Sequence, residues 1–420
     1  MTPYEQFIAT KRRKAMPRGF VPTYYPDKAF DFQREIIARA VRAGRYAIYA
    51  DCGLGKTLMQ LAWAENVARH TNGNVLIVTP LSVAHQTVAD GVKFGISTTY
   101  RRDGIAERLT VTNYEHVHKF NPREFTGIVV DESSILKSFT GAFRIMLTDF
   151  ANSMDYRLSC SATPAPNDFL EYGTQSEFLG QMRNADMTAT FFVHDGGDTS
   201  KWRLKRHAVR DFRAWLDSWS CHVTLPSDIG YSDDGYVLPP LHEHTIRVEG
   251  GESEQLFEGA ALSLHEQRAL KKRMMEYTVP AIAAIINNDH EQWIVWIENN
   301  YEGDALKAAI PNAVEVRGSD DPDFKERTLE AFASGDVRVL ITKASIAGFG
   351  LNWQQCHKMV FASSSHSYEQ YYQAVRRCYR FGQEQPVEVY RVRYFGDEAV
   401  AANFTRKQTQ AKQIKEGNPV

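Results

Sequence analysis

The chain has 420 residues, 43% hydrophobic and 24% charged, the make-up of a folded globular protein of about two or three domains. No apolar run nears the ~18 residues a membrane span requires, and residues 1–14 lack a signal peptide's apolar core. The five cysteines show no CxxC or other ligand spacing, which excludes a zinc module and a disulfide framework and points to free thiols in a cytoplasmic protein. A formal net charge of −2 excludes a globally basic surface, so nucleic-acid binding would have to come from a local groove.

Residues 1–27, with Lys11-Arg-Arg-Lys14, read as a basic N-terminal arm. Over residues 28–180, short β-rich apolar runs alternate with helical patterns. The strand candidates are 46–50, 75–78, 109–112, 128–130 and 157–160. Several are nearly continuous apolar runs, as expected when both faces of a parallel sheet are covered. Such a doubly wound α/β layer binds ligands at the carboxyl ends of its strands. Residues 181–240 carry turn chemistry (Asp195-Gly-Gly-Asp198, Asp233-Asp-Gly235, Leu238-Pro-Pro240) and read as an insertion or linker. They also hold Lys201, Arg203, Lys205, Arg206, Arg210 and Arg213 among Trp202 and Trp215. That cluster is either a DNA-facing patch or, the favoured reading, core tryptophans beneath a solvated basic face. Residues 241–420 begin a second alternating series, with strands at 293–297, 314–317, 337–342, 359–362 and 387–392.

Residues 50–57 read Ala50-Asp-Cys-Gly-Leu-Gly-Lys-Thr57, behind a strand-like run and ahead of an amphipathic one. Strand, glycine-rich turn, Lys-Thr and helix is the build of a phosphate-binding loop. Asp51, Gly53, Leu54 and Gly55 would form the cradle. Lys56 would bring a charge to the β- and γ-phosphates, and Thr57 a hydroxyl to Mg²⁺. Val129-Val-Asp-Glu-Ser-Ser134 ends a buried strand with two acids. Asp131 would hold Mg²⁺ through water, and Glu132 would orient or deprotonate an attacking water. Ser159-Cys-Ser-Ala-Thr-Pro164 ends the next strand. Ser161 and Thr163 there form either a capped turn or a hydroxyl relay that senses the γ-phosphate.

That order of motifs resembles the helicases of superfamily two, ATP-driven nucleic-acid motors, and within them the Swi/Snf-type translocases and their compact phage relatives. The resemblance spans roughly residues 30–395. The family's A-x-x-x-x-G-K-T variant accounts for Ala50 where most phosphate loops begin with glycine. Asp-Glu-Ser-Ser departs from the family's Asp-Glu-Ala-His or Asp-Glu-Gly-His. Gln373-Ala-Val-Arg-Arg-Cys-Tyr-Arg-Phe-Gly-Gln383 looks like the family's last motif, with Arg376 and Tyr379 as departures. By this resemblance Gln373, Arg377 and Arg380 join the catalytic set, and the two arginines, spaced i and i+3, are expected on one helix face. Ser345-Ile-Ala-Gly-Phe-Gly-Leu-Asn352 resembles the preceding motif, which assigns Gly350 to the nucleotide and Ser345 and Asn352 to the nucleic-acid backbone. Gln33 matches the glutamine that reads adenine. Thr79, Pro80, Thr112, Asn113 and Arg317 match backbone-binding positions at strand ends.

The expectation is therefore two tandem RecA-like doubly wound parallel-sheet domains with an ATP cleft between them, 28–180 and 241–420. The function implied is ATP hydrolysis, with Mg²⁺, coupled to translocation on DNA. Strand separation on DNA or RNA, or an ATP-gated clamp with little turnover, are the alternatives. A small-molecule kinase would explain the phosphate loop but not the second sheet. A monomer without membrane association is expected, working beside replication, recombination or repair proteins.

Overall fold

The computed structural model describes residues 18–138, 140–195, 198–248, 264–347, 352–363, 367–394, 397 and 401–409. The chain forms two compact units that divide between Thr224 and Leu225, except that Cys52–Leu54 group with the second. Most of the expected arm lies outside the described residues. Its last part, from residue 18, does not hang free. Phe20 stacks on His70 with ring centroids 3.8 Å apart, and the buried Asn66 side chain grips the backbone at Thr23 and Tyr24.

The first unit is built on a seven-stranded sheet of order β3-β4-β2-β5-β6-β1-β9, every pair parallel. Its strands are β1 (Arg45–Ala50), β2 (Asn74–Thr79), β3 (Thr99–Tyr100), β4 (Leu109–Asn113), β5 (Phe125–Asp131), β6 (Tyr156–Cys160) and β9 (Ser220–Val223). The five strands read from apolar runs all form. Buried β1 and β2 show why they read as nearly unbroken apolar stretches: helices cover both faces, so neither face selects polar residues. The helix Lys56–Thr71 was expected to be amphipathic. It is instead buried on every side from Leu58 to Ala68, because it is sandwiched between the sheet and the helices Asp31–Ala43 and Leu81–Lys93.

The expected 181–240 insertion differs most from the structure. Phe192–Asp195 (β7) and Asp198–Leu204 (β8) form an antiparallel hairpin, Val209–Asp217 is a helix, and β9 completes the first sheet beside β1. Ser220-Cys-His-Val is too short and too polar to signal a strand. Its pairing with β1, Ala47 opposite Ser220 through Ala50 opposite Val223, makes it one. The aromatic residues here anchor a core. Phe191, Phe212, Trp215 and Trp219 pack with centroids 5.2–5.6 Å apart, while Arg203, Arg206, Arg210 and Arg213 lie on the exposed side.

The second unit has a six-stranded parallel sheet of order β10-β15-β14-β11-β13-β12. These are β10 (Leu241–Val248), β11 (Trp293–Ile297), β12 (Ala313–Val316), β13 (Val339–Lys343), β14 (Lys358–Phe361) and β15 (Val387–Tyr394). The sequence spacing locates five of them to within a few residues. Strand β10 escapes it because it is a mostly exposed edge strand rich in His, Glu and Arg. Central β11 shows the two-faced burial directly. Trp293, Val295 and Ile297 enter one core with Met274, Ile282 and Leu306, whereas Ile294 and Trp296 enter another with Phe332, Trp353 and Met359.

Candidate nucleotide and nucleic-acid site

In the first sheet the order β5-β6-β1 brings three expected motifs to one carboxyl edge. Ile48 of β1 and Asp131 of β5 both stand opposite Cys160 of β6. The phosphate loop leaves the first strand, the Asp-Glu box the second, and the Ser161–Thr163 turn the third. The Cys160 thiol registers this convergence. Burial pushes its pKa up, Asp131 and Glu132 push it further, and Lys56 opposes them.

The loop itself turns on two glycines. Gly53 and Gly55 sit at φ +90° and +82°, where a Cβ-bearing residue is strained. At Gly55 a Cβ would also strike Gln33 Nε2. Gly55 is the N-cap of the helix Lys56–Thr71, so the helix's first N–H groups point out of the turn. The Lys56 ammonium donates to the carbonyl of Ala50 at 3.0 Å and to that of Asp51 at 3.4 Å. Thr57 stands at the helix head with its side chain partly exposed. Gln33 is buried against this loop, and its Oε1 accepts from the Phe30 N–H at 3.0 Å. The carbonyl end therefore caps its own helix, and the amide end faces Gly55.

Asp131 is buried, and burial followed by the neighbouring Glu132 raises its pKa to about 7, with Lys56 pulling it down. Tyr114 donates its hydroxyl to the Asp131 carbonyl, which ties the strand end to the next layer. Glu132 adopts φ 50°, ψ 51°, in the left-handed region. The other described non-glycine residues at positive φ are both asparagines, which tolerate it. The donor set suits a Mg²⁺–nucleotide. It offers a hydroxyl at a helix head, an ammonium with three donors, and a buried acid whose anion a divalent cation would favour. Among the described residues no cluster of three His, Cys, Asp or Glu side chains offers a metal site.

Ser161 and Thr163 form a closed turn. The Ser161 N–H donates to Ile48 O at 3.2 Å, and the Ser161 hydroxyl accepts the Thr163 N–H at 3.0 Å. This is the capped-turn geometry. Thr163 Oγ1 is nevertheless buried with no hydrogen-bond partner. Farther along the same edge, Thr79 of β2 stands opposite Asn113 of β4. Thr79, Thr112 and Asn113 are buried, and Asn113 is engaged by Glu115 and by Tyr100. Pro80 opens the following helix and is half-buried. The Thr79 hydroxyl donates to the Pro80 carbonyl at 3.1 Å, and Thr112 Oγ1 is buried with no hydrogen-bond partner.

In the second unit the expected residues separate. Arg317 is held by Glu315 and Asp304, so its guanidinium is committed to carboxylates and its pKa lies above the usual value. Ser345 and Asn352 are exposed, and Gly350 lies outside the described residues. The arginine motif requires a correction. The helix Tyr368–Val375 ends before Arg377 and Arg380, so they do not share a helix face. The chain tightens into turns, Arg377 N–H to Ala374 O at 3.2 Å and Gln383 N–H to Arg380 O at 3.0 Å. The buried Gln383 amide draws them in by donating to the carbonyls of Cys356 and Cys378. Arg377 is buried and Arg380 half-buried, and Gln373 Nε2 is buried with no hydrogen-bond partner.

Residues 279–382 match the helicase conserved C-terminal domain. A 78-residue stretch is 35% identical to the bifunctional helicase and thymine dioxygenase JBP2 of Leishmania braziliensis, and equally to that of Leishmania infantum. The stretch is 18% of this chain and 7% of those relatives, so the chain spans only a small part of their length. The structure of the SWI2/SNF2 ATPase core of Sulfolobus solfataricus in complex with dsDNA covers 95% of this chain and 96% of its own, at 16% identity and a TM-score of 0.46. The second unit thus carries a helicase-type C-terminal domain. The phosphate loop and the Asp-Glu box stand on the first sheet, outside the matched residues.

Proposed function

We propose that this protein is a nucleic-acid-stimulated ATPase that couples hydrolysis to translocation on duplex DNA, in the manner of Swi/Snf-type motors. The observation that carries the reading is the pairing, in one chain, of a phosphate loop beside buried Asp131 with a helicase-type C-terminal domain over residues 279–382. A kinase needs the first and has no use for the second.

In this reading the N–H groups of Gly53 to Thr57 and the Lys56 ammonium hold the phosphates, once Lys56 exchanges its two loop carbonyls for phosphate oxygens. Thr57 and Asp131 hold Mg²⁺, which supplies charge neutralisation on the phosphate oxygens when bound. Glu132 orients the attacking water and takes its proton, while Arg377 and Arg380 stabilise charge on the γ-phosphate. Gln33 contacts adenine through its amide, and Gly350 lies along the nucleotide. Gln373 joins these arginines in the catalytic set. Thr79, Pro80, Thr112, Asn113, Arg317, Ser345 and Asn352 mark the segments that follow the DNA backbone, without reading bases. The working form is a monomer.

The test is the ATPase rate against duplex DNA, single-stranded DNA and RNA, with triplex-displacement and strand-unwinding assays in parallel. Duplex-stimulated turnover with triplex displacement and no unwinding is the expected result, and Lys56→Ala abolishes it. Unwinding makes the protein a strand-separating helicase. Tight ATP-dependent DNA binding without turnover makes it a clamp.

A further inference from the structure

We infer that Gln175 is a positioning residue that holds the backbone carrying Glu132 and ties it to the Ser159–Pro164 strand end. The inference rests on the hydrolysis reading above. Gln175 lies on the helix Glu171–Leu179 and is fully buried. Its Oε1 accepts from the Ser159 hydroxyl at 2.8 Å. Its Nε2 donates to the Ser133 carbonyl at 2.7 Å and reaches the Pro164 carbonyl at 3.5 Å. One amide thus fastens the Asp-Glu-Ser-Ser segment to both ends of the Ser-Cys-Ser-Ala-Thr-Pro segment.

The fastening matters because of what stands next to it. Glu132 is in the left-handed region, a conformation that a residue with a Cβ keeps only when its surroundings enforce it. The Ile135 N–H holds the Glu132 carbonyl at 3.2 Å. Gln175 holds the carbonyl of the next residue. Together they fix the backbone from which the Glu132 carboxyl projects. The same amide grips Ser159, two residues before Ser161, so a shift of the Ser161–Thr163 turn would reach Glu132 through Gln175. A helix buried at all but one of its positions needs no polar side chain for its own packing. A leucine would fill the volume, and a glutamine with both amide ends engaged does something else.

The experiment compares wild type, Gln175→Met and Ser159→Ala for nucleotide affinity, ATPase kcat with and without duplex DNA, and thermal stability. Methionine keeps the length of the side chain and removes both hydrogen-bonding ends. The expected result for Gln175→Met is nucleotide Kd within about twofold of wild type and kcat at least about tenfold lower. Ser159→Ala is expected to show a smaller loss of the same kind, and the double variant no further loss than Gln175→Met alone. Should Gln175→Met fail to fold, Ser159→Ala decides by the same split between kcat and Kd. A lowered melting temperature with kcat per folded molecule unchanged would overturn the inference and leave the hydrolysis reading standing. Absence of DNA-stimulated hydrolysis in wild type would overturn that reading, and this inference with it.

Discussion

Gly55 shows how much chemistry one missing methyl group carries. Its φ of +82° turns the chain into the helix head, and its bare Cα leaves room for Gln33. Gly55→Ala should therefore cost about 1–2 kcal/mol in backbone strain and displace Gln33 as well. Fluorescent-nucleotide binding should weaken more than tenfold, and unchanged affinity would show that the turn tolerates a side chain. His222 belongs to the same scale. Burial, followed by the charge of Arg213, lowers its pKa to about 4, and its Nε2 lies 2.9 Å from the Tyr172 hydroxyl. A depressed histidine pKa means that the unfolded chain binds the proton first. The stability His222 contributes is then present above about pH 6.5 and lost as the pH falls toward 4. The melting temperature of His222→Asn should fall less steeply than that of wild type across that window. Parallel curves would remove His222 from the acid response.

At the scale of elements, the helix Lys56–Thr71 carries more than the phosphate loop. Asn66, on its buried face, accepts from the Thr23 and Tyr24 N–H groups at 2.9 and 3.0 Å and donates to the Tyr24 and Ala62 carbonyls at 2.8 and 2.9 Å. Every hydrogen-bonding site of the amide is used, so the residues ahead of the first sheet are clamped to the helix that starts at Lys56. Asn66→Ala leaves those groups to find other partners, at a cost of roughly 1–3 kcal/mol. Amide exchange at Thr23 and Tyr24 should accelerate accordingly, with no change in the second unit. Protection unchanged at both amides would show that the segment is held by Phe20 and its neighbours alone. Elements also explain what sequence reading missed. Strands β9 and β10 are edge strands, short or polar, and acquire strand character only from the neighbour they pair with. The arginine segment looked helical because its spacing fits a helix. The Gln383 amide, drawn to the carbonyls of Cys356 and Cys378, makes turns the better solution there.

For the whole molecule, the decisive prediction concerns Arg380. In the proposed motor it acts on the phosphate that the P-loop unit holds, so Arg380→Ala should keep nucleotide binding within a few-fold and lose about 10³ in DNA-stimulated kcat. Normal stimulated turnover in that variant would sink the assignment of the second unit to the chemistry. By itself the sequence determined the two parallel α/β units, the phosphate loop and the Asp-Glu pair, because these rest on local patterns: apolar runs of strand length, glycines where φ must be positive, acids at a strand's end. Ala50, unexpected for a phosphate loop read in isolation, took its meaning from motifs farther along the same chain. Tertiary structure alone decided which strand ends lie side by side, that the side chains of Thr79, Thr112 and Asn113 are buried, that Arg317 is already paired, and that Gln175 reaches both Ser133 and Ser159. The reason is physical. Period and composition record how each segment meets its own layer, whereas register and side-chain partnership arise between segments distant in sequence, where no local pattern records them.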